Sequence, residues 1–154
     1  MKAMVYTKYG SPADVLRLKE VEKPTPADNE VLIKVYASSV NSAQLHLIKA
    51  DPFLMRLSIG LLKPTKTIPG ADVAGRVEAV GKDVTQFKPG DEVFGDLSGW
   101  GWGSFVEYVS ANENALLLKP TNLSFEQVAA LPVAGVTALQ GLRDKGQITS
   151  GQKV

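Results

Sequence analysis

Two runs of alternating side chains fix the class of structure this chain can form. In VLIKVYA, Val31, Ile33, Val35 and Ala37 fall on one face while Leu32, Lys34 and Tyr36 fall on the other. In VAGRVEAVG, Val73, Gly75, Val77 and Ala79 oppose Ala74, Arg76, Glu78 and Val80. A period of two sorts residues onto the faces of a strand and does not build the 3.6-residue stripe of a helix. EVFGDL, SFVEYVS and ALLLKP supply further short strands, separated by the turn clusters VGKDV, FKPGDEV and SANEN. Strands at this spacing predict a barrel or a sandwich.

Helical signals interrupt the pattern in three places. NSAQLHLIKA carries Asn41 as N-cap and Gln44 at the third helical position. DPFLMRLSIGLLKP places Asp51 as N-cap before Pro52, with Phe53, Leu54, Leu57, Leu61 and Leu62 forming an apolar stripe. Such a stripe is expected to pack into the core, with the wall or lid of an apolar pocket as the sharper reading. After Pro120 the texture changes: Ser124 and Gln127 form a capping box, Leu123 and Val128 a hydrophobic staple. Pro132 breaks that helix, and a second helical stretch is predicted from about 133 to 142, ending at Gly141 or Gly146. From Val128 to Leu139 the only polar side chain is Thr137, so this segment is expected to be buried on more than one side.

Composition removes several functions. The 154 residues carry a net charge of +1 without a long run of like charge, so the footprint of a nucleic-acid binder is missing. No apolar run reaches the roughly 18 residues of a membrane span, and the first ten residues lack the apolar core of a signal peptide, so a cytoplasmic protein is expected. Cysteine is absent and His46 is the one histidine. A tetrahedral Cys/His zinc site therefore cannot be assembled, and no metal is expected.

Familiar active-site motifs also fail. GWGWGS opens like a dinucleotide fingerprint but runs into a strand, so no helix N-terminus is available for a phosphate. GADVAGR has the glycine spacing of a Walker loop, with Arg76 and Val77 where Lys and Ser/Thr belong. These glycines suit tight turns and close backbone approach instead. No Gly-x-Ser-x-Gly turn accompanies His46.

Taken together, PGADVAGRVEAVGKDVTQFKPGDEVFGDL, GSFVEYV and LSFEQVAALPVAGVTALQGL resemble the medium-chain dehydrogenase/reductase superfamily, in its zinc-independent quinone oxidoreductase and enoyl reductase branch. The resemblance implies a mainly β GroES-like barrel with short helices over residues 1–123. It also implies hinge helices over residues 124–154 that lead into a Rossmann domain absent from this chain. In relatives GQKV runs into the first strand of that domain, so Val154 is expected to begin it, and the chain alone is expected to be inactive and nearly without cofactor affinity. NADPH is the implied cofactor, and a small apolar quinone or α,β-unsaturated carbonyl the implied substrate. A homodimer is compatible with the longer protein.

The resemblance also assigns residues. Zinc-dependent members carry ligands at the positions of Asn41, Ala71, Asp72 and Val133, and this chain keeps almost none of that chemistry. Without a Lewis acid, hydride transfer needs an acceptor that is already polarised and hydrogen-bond donors for the oxygen that gains charge. Asn41 is implied beside substrate and nicotinamide, its plainer role being a helix cap. Gln44 replaces a frequent Asp. His46 stands where some relatives relay a proton, and Thr137 where they contact the nicotinamide end. For Asp72 the plainer reading is a carboxylate tied to nearby backbone or to Arg76, and for Trp100 and Trp102 it is core or rim packing. Because one fold hosts many functions, a non-catalytic binding or interaction module is the alternative.

Overall fold

The two alternating runs become the two longest strands. The computed structural model describes residues 1–153, so the expected strand start at Val154 lies outside the described residues. A hairpin of β1 (Lys2–Val5) and β2 (Arg17–Glu20) encloses the single-turn helix α1 (Pro12–Val15). A five-stranded sheet follows, made of β3 (Glu30–Ala37), β4 (Asp72–Val80), β5 (Glu92–Asp96), β6 (Tyr108–Asn112) and β7 (Leu116–Leu118). Its spatial order is β6-β3-β4-β5-β7, and every neighbouring pair is antiparallel. The helices α2 (Ser42–Lys49) and α3 (Arg56–Ile59) connect β3 to β4, while α4 (Phe125–Ala129) and α5 (Pro132–Leu139) follow β7. The hairpin joins the sheet side through an Ala3–Val106 bridge and the Met4 N–H, which donates to the Phe105 carbonyl at 2.9 Å.

Alternation holds in the strand centres and fails at two bulges. Val31, Ile33, Val73, Val77 and Val93 fill the main core, each contributing about 1.5–3 kcal/mol relative to exposure. Register slips between Leu32 and Ile33 and again between Val35 and Ala37. An extra residue reverses the facing of everything beyond it. Val80 therefore packs on the same core as Val77, and Ala37 leaves it to join Ala74, Val128 and Ala129 under α4. Gly75 sits where β3 and β4 are closest: a Cβ there would lie 2.1 Å from the Lys34 carbonyl oxygen.

The helical expectations divide. The Ser124 capping box is present, with the Gln127 N–H donating to Ser124 Oγ at 3.3 Å and the Ser124 N–H to Gln127 Oε1 at 2.9 Å. Val128 is fully buried, with Leu123 packed against its cluster. The second helix runs Pro132–Leu139 and passes into a π-helical turn at Gln140–Lys145. Within this chain the apolar segment is covered in part: Val128 and Ala129 are buried, while Val136 and Leu139 are exposed. The stripe at 53–62 departs further. It forms only a 3-10 turn at Phe53–Met55 and the one turn of α3, and Phe53 and Leu62 are 65% and 90% exposed. Gly60, at φ +119, ends the helix before a second turn can form. Among the described residues no helix is long and apolar enough to cross a membrane.

At the start of β5 Glu92 accepts from Arg76 at 2.9 Å and from Lys119 at 3.1 Å. The Arg76 hydrogen bond, followed by that from Lys119, holds the Glu92 carboxyl below its ordinary value of 4.5. A depressed folded-state value stabilises the fold fully above the ordinary value, and the benefit disappears as acid takes the pH down through the lower one. Glu92→Gln is therefore expected to show a smaller drop in melting temperature than the parent between neutral pH and pH about 3, as followed by circular dichroism.

Candidate functional site

The chain leaves β3 past its second bulge and delivers Ser38, Ser39 and Asn41 to the start of β4, where Asp72 is completely buried. Among the described residues no cation meets this carboxylate; neutral donors do. Asn41 Nδ2 donates to Asp72 Oδ2 at 2.8 Å, Ser39 Oγ donates to the same oxygen, and the Val133 N–H at the start of α5 donates to Oδ1 at 2.9 Å. The Asp72 carbonyl accepts from Ser38 Oγ at 2.6 Å. Arg76, the side-chain partner considered from sequence, pairs with Glu92 instead. The backbone partner is Val133, sixty-one residues along the chain.

This arrangement decides how Asn41 is oriented. A side-chain NH2 donates and a carboxylate oxygen accepts, so the amide turns its NH2 towards Asp72. The second amide hydrogen goes to Ser39 Oγ at 3.0 Å. Asn41 therefore has no free donor, and what it can offer a ligand is Oδ1. That oxygen lies in capping-box arrangement with Gln44, whose Oε1 accepts the Asn41 N–H at 2.6 Å. With two lone pairs, Oδ1 keeps capacity for a second donor.

Gln44 completes the set from the other end of the same amide. The residue is 2% exposed, Oε1 is committed to Asn41, and Nε2 has no hydrogen-bond partner among the described residues. The commitment of Oε1 rules out reversing the amide to relieve Nε2.

Asn41, Gln44, Asp96, Ser98, Val136 and Thr137 line one cavity of about 400 Å³. Thr137 reaches it from α5, three other positions of which, Pro132, Val133 and Val136, also line it. His46 is not among the lining residues. It is exposed at the end of α2, with Nδ1 bonded to the Asp51 carbonyl at 2.9 Å. Asp96 and Ser98 were not singled out from sequence. They form an Asx turn in GDLSGW, with the Ser98 N–H and Oγ donating to the Asp96 carboxylate at 2.7 and 2.8 Å. The Asp-x-Ser spacing was the available signal. Trp102, partly buried, also lines the cavity, whereas Trp100 is exposed.

Three of the four positions that the resemblance links to zinc, Asn41, Asp72 and Val133, thus meet in space, joined by hydrogen bonds. Among the described residues no three His, Cys, Asp or Glu side chains are grouped to hold a metal ion.

Residues 27–121 match the alcohol dehydrogenase GroES-like domain. The chain belongs to that family. It is 40% identical to 2-methylene-furan-3-one reductase of Solanum lycopersicum, over the whole of this chain and 39% of the relative. It is 39% identical to the chloroplastic NADPH-dependent alkenal/one oxidoreductase of Arabidopsis thaliana, over 92% of this chain and 37% of the relative. The quinone oxidoreductase of Coxiella burnetii superposes with a TM-score of 0.86 at 34% identity, covering 98% of this chain and 46% of that structure. These relatives are quinone and enone reductases of the medium-chain dehydrogenase/reductase superfamily. The chain spans about two-fifths of the length of the curated relatives.

Removing the carboxylate would strand three donors at once. Asp72→Ala is expected to cost on the order of 3 kcal/mol, read as a melting temperature lower by roughly 10 °C. Asp72→Asn, which sets an NH2 against those donors, is expected to recover little of that loss.

Proposed function

We propose that this chain forms the substrate side of an NADPH-dependent oxidoreductase that reduces a quinone or an α,β-unsaturated carbonyl. The observation that carries the proposal is the buried Gln44 Nε2, unpartnered among the described residues, on a residue that lines one cavity with Asn41, Thr137 and the apolar side chains of Val133 and Val136. A buried donor without a partner costs about 1–3 kcal/mol, a cost that a ligand acceptor would offset. The names of the relatives, which specify quinone, furanone and alkenal/one reduction and, for one, NADPH, support the chemical class.

The residues fit a nicotinamide and an acceptor side by side. Asn41 Oδ1 can accept from a carboxamide N–H, and Thr137 lies across the cavity on α5. When bound, NADPH supplies a hydride to an electrophilic carbon, its oxidation to NADP⁺ balancing a two-electron reduction that the acceptor completes by taking up one proton. Gln44 Nε2 donates to the acceptor oxygen as that atom gains charge. The donor is held in place before the reaction because Oε1 is fixed by the Asn41 N–H. The apolar wall from α5 keeps water from competing for the same oxygen. His46, outside the lining, is assigned no step.

Gln44→Glu keeps the oxygen that caps Asn41 and deletes the donor. In the full-length protein this change is expected to lower kcat/KM for quinone or enone by about a hundredfold, measured as acceptor-dependent NADPH oxidation, with the circular dichroism spectrum unchanged. Turnover within about twofold of the parent would remove Gln44 from the chemistry. A parent protein that oxidises NADPH with no quinone or enone would overturn the proposal as a whole.

A further inference from the structure

Next to the cavity of Asn41 and Thr137 lies a second hollow of about 230 Å³, walled chiefly by Tyr6, Leu47, Ile59, Ile68 and Pro69. Among the described residues Trp102 alone belongs to both linings. Its backbone is unusual for a residue of its size. Gly101, Trp102 and Gly103 have φ values of +115, +64 and +109 in succession. Glycine enters that region freely, whereas a bulky aromatic there is an outlier. The main chain is pinned on both sides of the ring: the Trp102 N–H donates to the Leu97 carbonyl at 2.9 Å, and the Gly103 N–H to the Gly70 carbonyl at 2.8 Å. Trp102 also borders a third, wide-open hollow with Gly101 and Gly103, and a residue held in a costly backbone state, only partly buried, where these spaces meet points to a role in what the two pockets admit.

We infer that Trp102 is a partition that sets the size of the acceptor. Its indole closes the reaction cavity against the apolar hollow, so compact quinones and enones enter while those with an alkyl tail are turned away. Removing the ring joins the two spaces into one pocket whose far end is apolar and suited to such a tail. This assignment rests on the reductase function proposed above. It goes further by naming the residue that discriminates between acceptors with the same reacting head.

The test compares 2-methyl- and 2-hexyl-1,4-benzoquinone as acceptors for the full-length protein, its Trp102→Gly variant and its Trp102→Leu variant. Trp102→Gly relaxes the backbone; Trp102→Leu keeps apolar contact with less bulk. The ratio of kcat/KM for hexyl over methyl is expected to rise about tenfold or more in both variants. A ratio within twofold of the parent in folded variants would overturn the partition. If Trp102→Gly fails to fold, Trp102→Leu carries the comparison, and loss of fold in both would make Trp102 a packing residue and overturn the inference. If the parent reduces neither these quinones nor an enone, the reductase reading fails on its own. The partition is then judged from calorimetric binding of 2-hexylhydroquinone: about tenfold tighter binding to Trp102→Gly than to the parent supports it, and equal affinity overturns it.

Discussion

The Asp72 carboxylate is the interaction on which the rest of the site depends. A buried carboxylate without a cation is costly unless its oxygens are well supplied with hydrogen bonds. Here the supply comes from two stretches of chain distant from Asp72 and from each other: Ser39 and Asn41 after β3, and the Val133 N–H at the start of α5. Because every donor is neutral, none brings a competing charge into the cavity. One group therefore fixes the direction of the Asn41 amide, ties α5 to the sheet and sets the distance across which Thr137 faces Gln44.

A chain of dependence follows from that fixed amide. Asn41 presents an acceptor and no donor, its N–H holds Gln44 Oε1, and the Gln44 amide is thereby left with Nε2 unmet. A capping box, ordinarily a device for starting a helix, here also aims a donor. The apolar side chains of α5 are the other half of the arrangement. Val136 lines the cavity while Leu139 and Leu142 stand exposed.

Much of the scaffold was legible from local pattern. The alternation of Val31, Ile33, Val73 and Val77, the Ser124–Gln127 box and the Asn41–Gln44 spacing are short-range signals, each with its own mechanism, and each produced the expected local structure. The bulges were not legible, since an extra residue at Tyr36 or Glu78 leaves no mark in composition and shows only in register. Without them Ala37 and Val80 are assigned to the wrong faces. Nor could spacing connect Asp72 to Val133, a contact made by tertiary folding alone. The leucine-rich stripe misled for a different reason: helical periodicity specifies a face but not whether anything covers it, and Gly60 halts the helix after one turn. At the site, Asn41, Gln44 and Thr137 share one cavity and His46 stands apart from it.

Amide hydrogen exchange at Val133 tests the central claim most directly. If the buried carboxylate holds α5, this N–H, which has no partner within its own helix at that position, exchanges slowly in the parent chain and at close to the unprotected rate in Asp72→Ala, while Ile33 and Val73 in the sheet keep their protection. A Val133 amide that exchanges freely in the parent, or equally slowly in both proteins, would contradict the account.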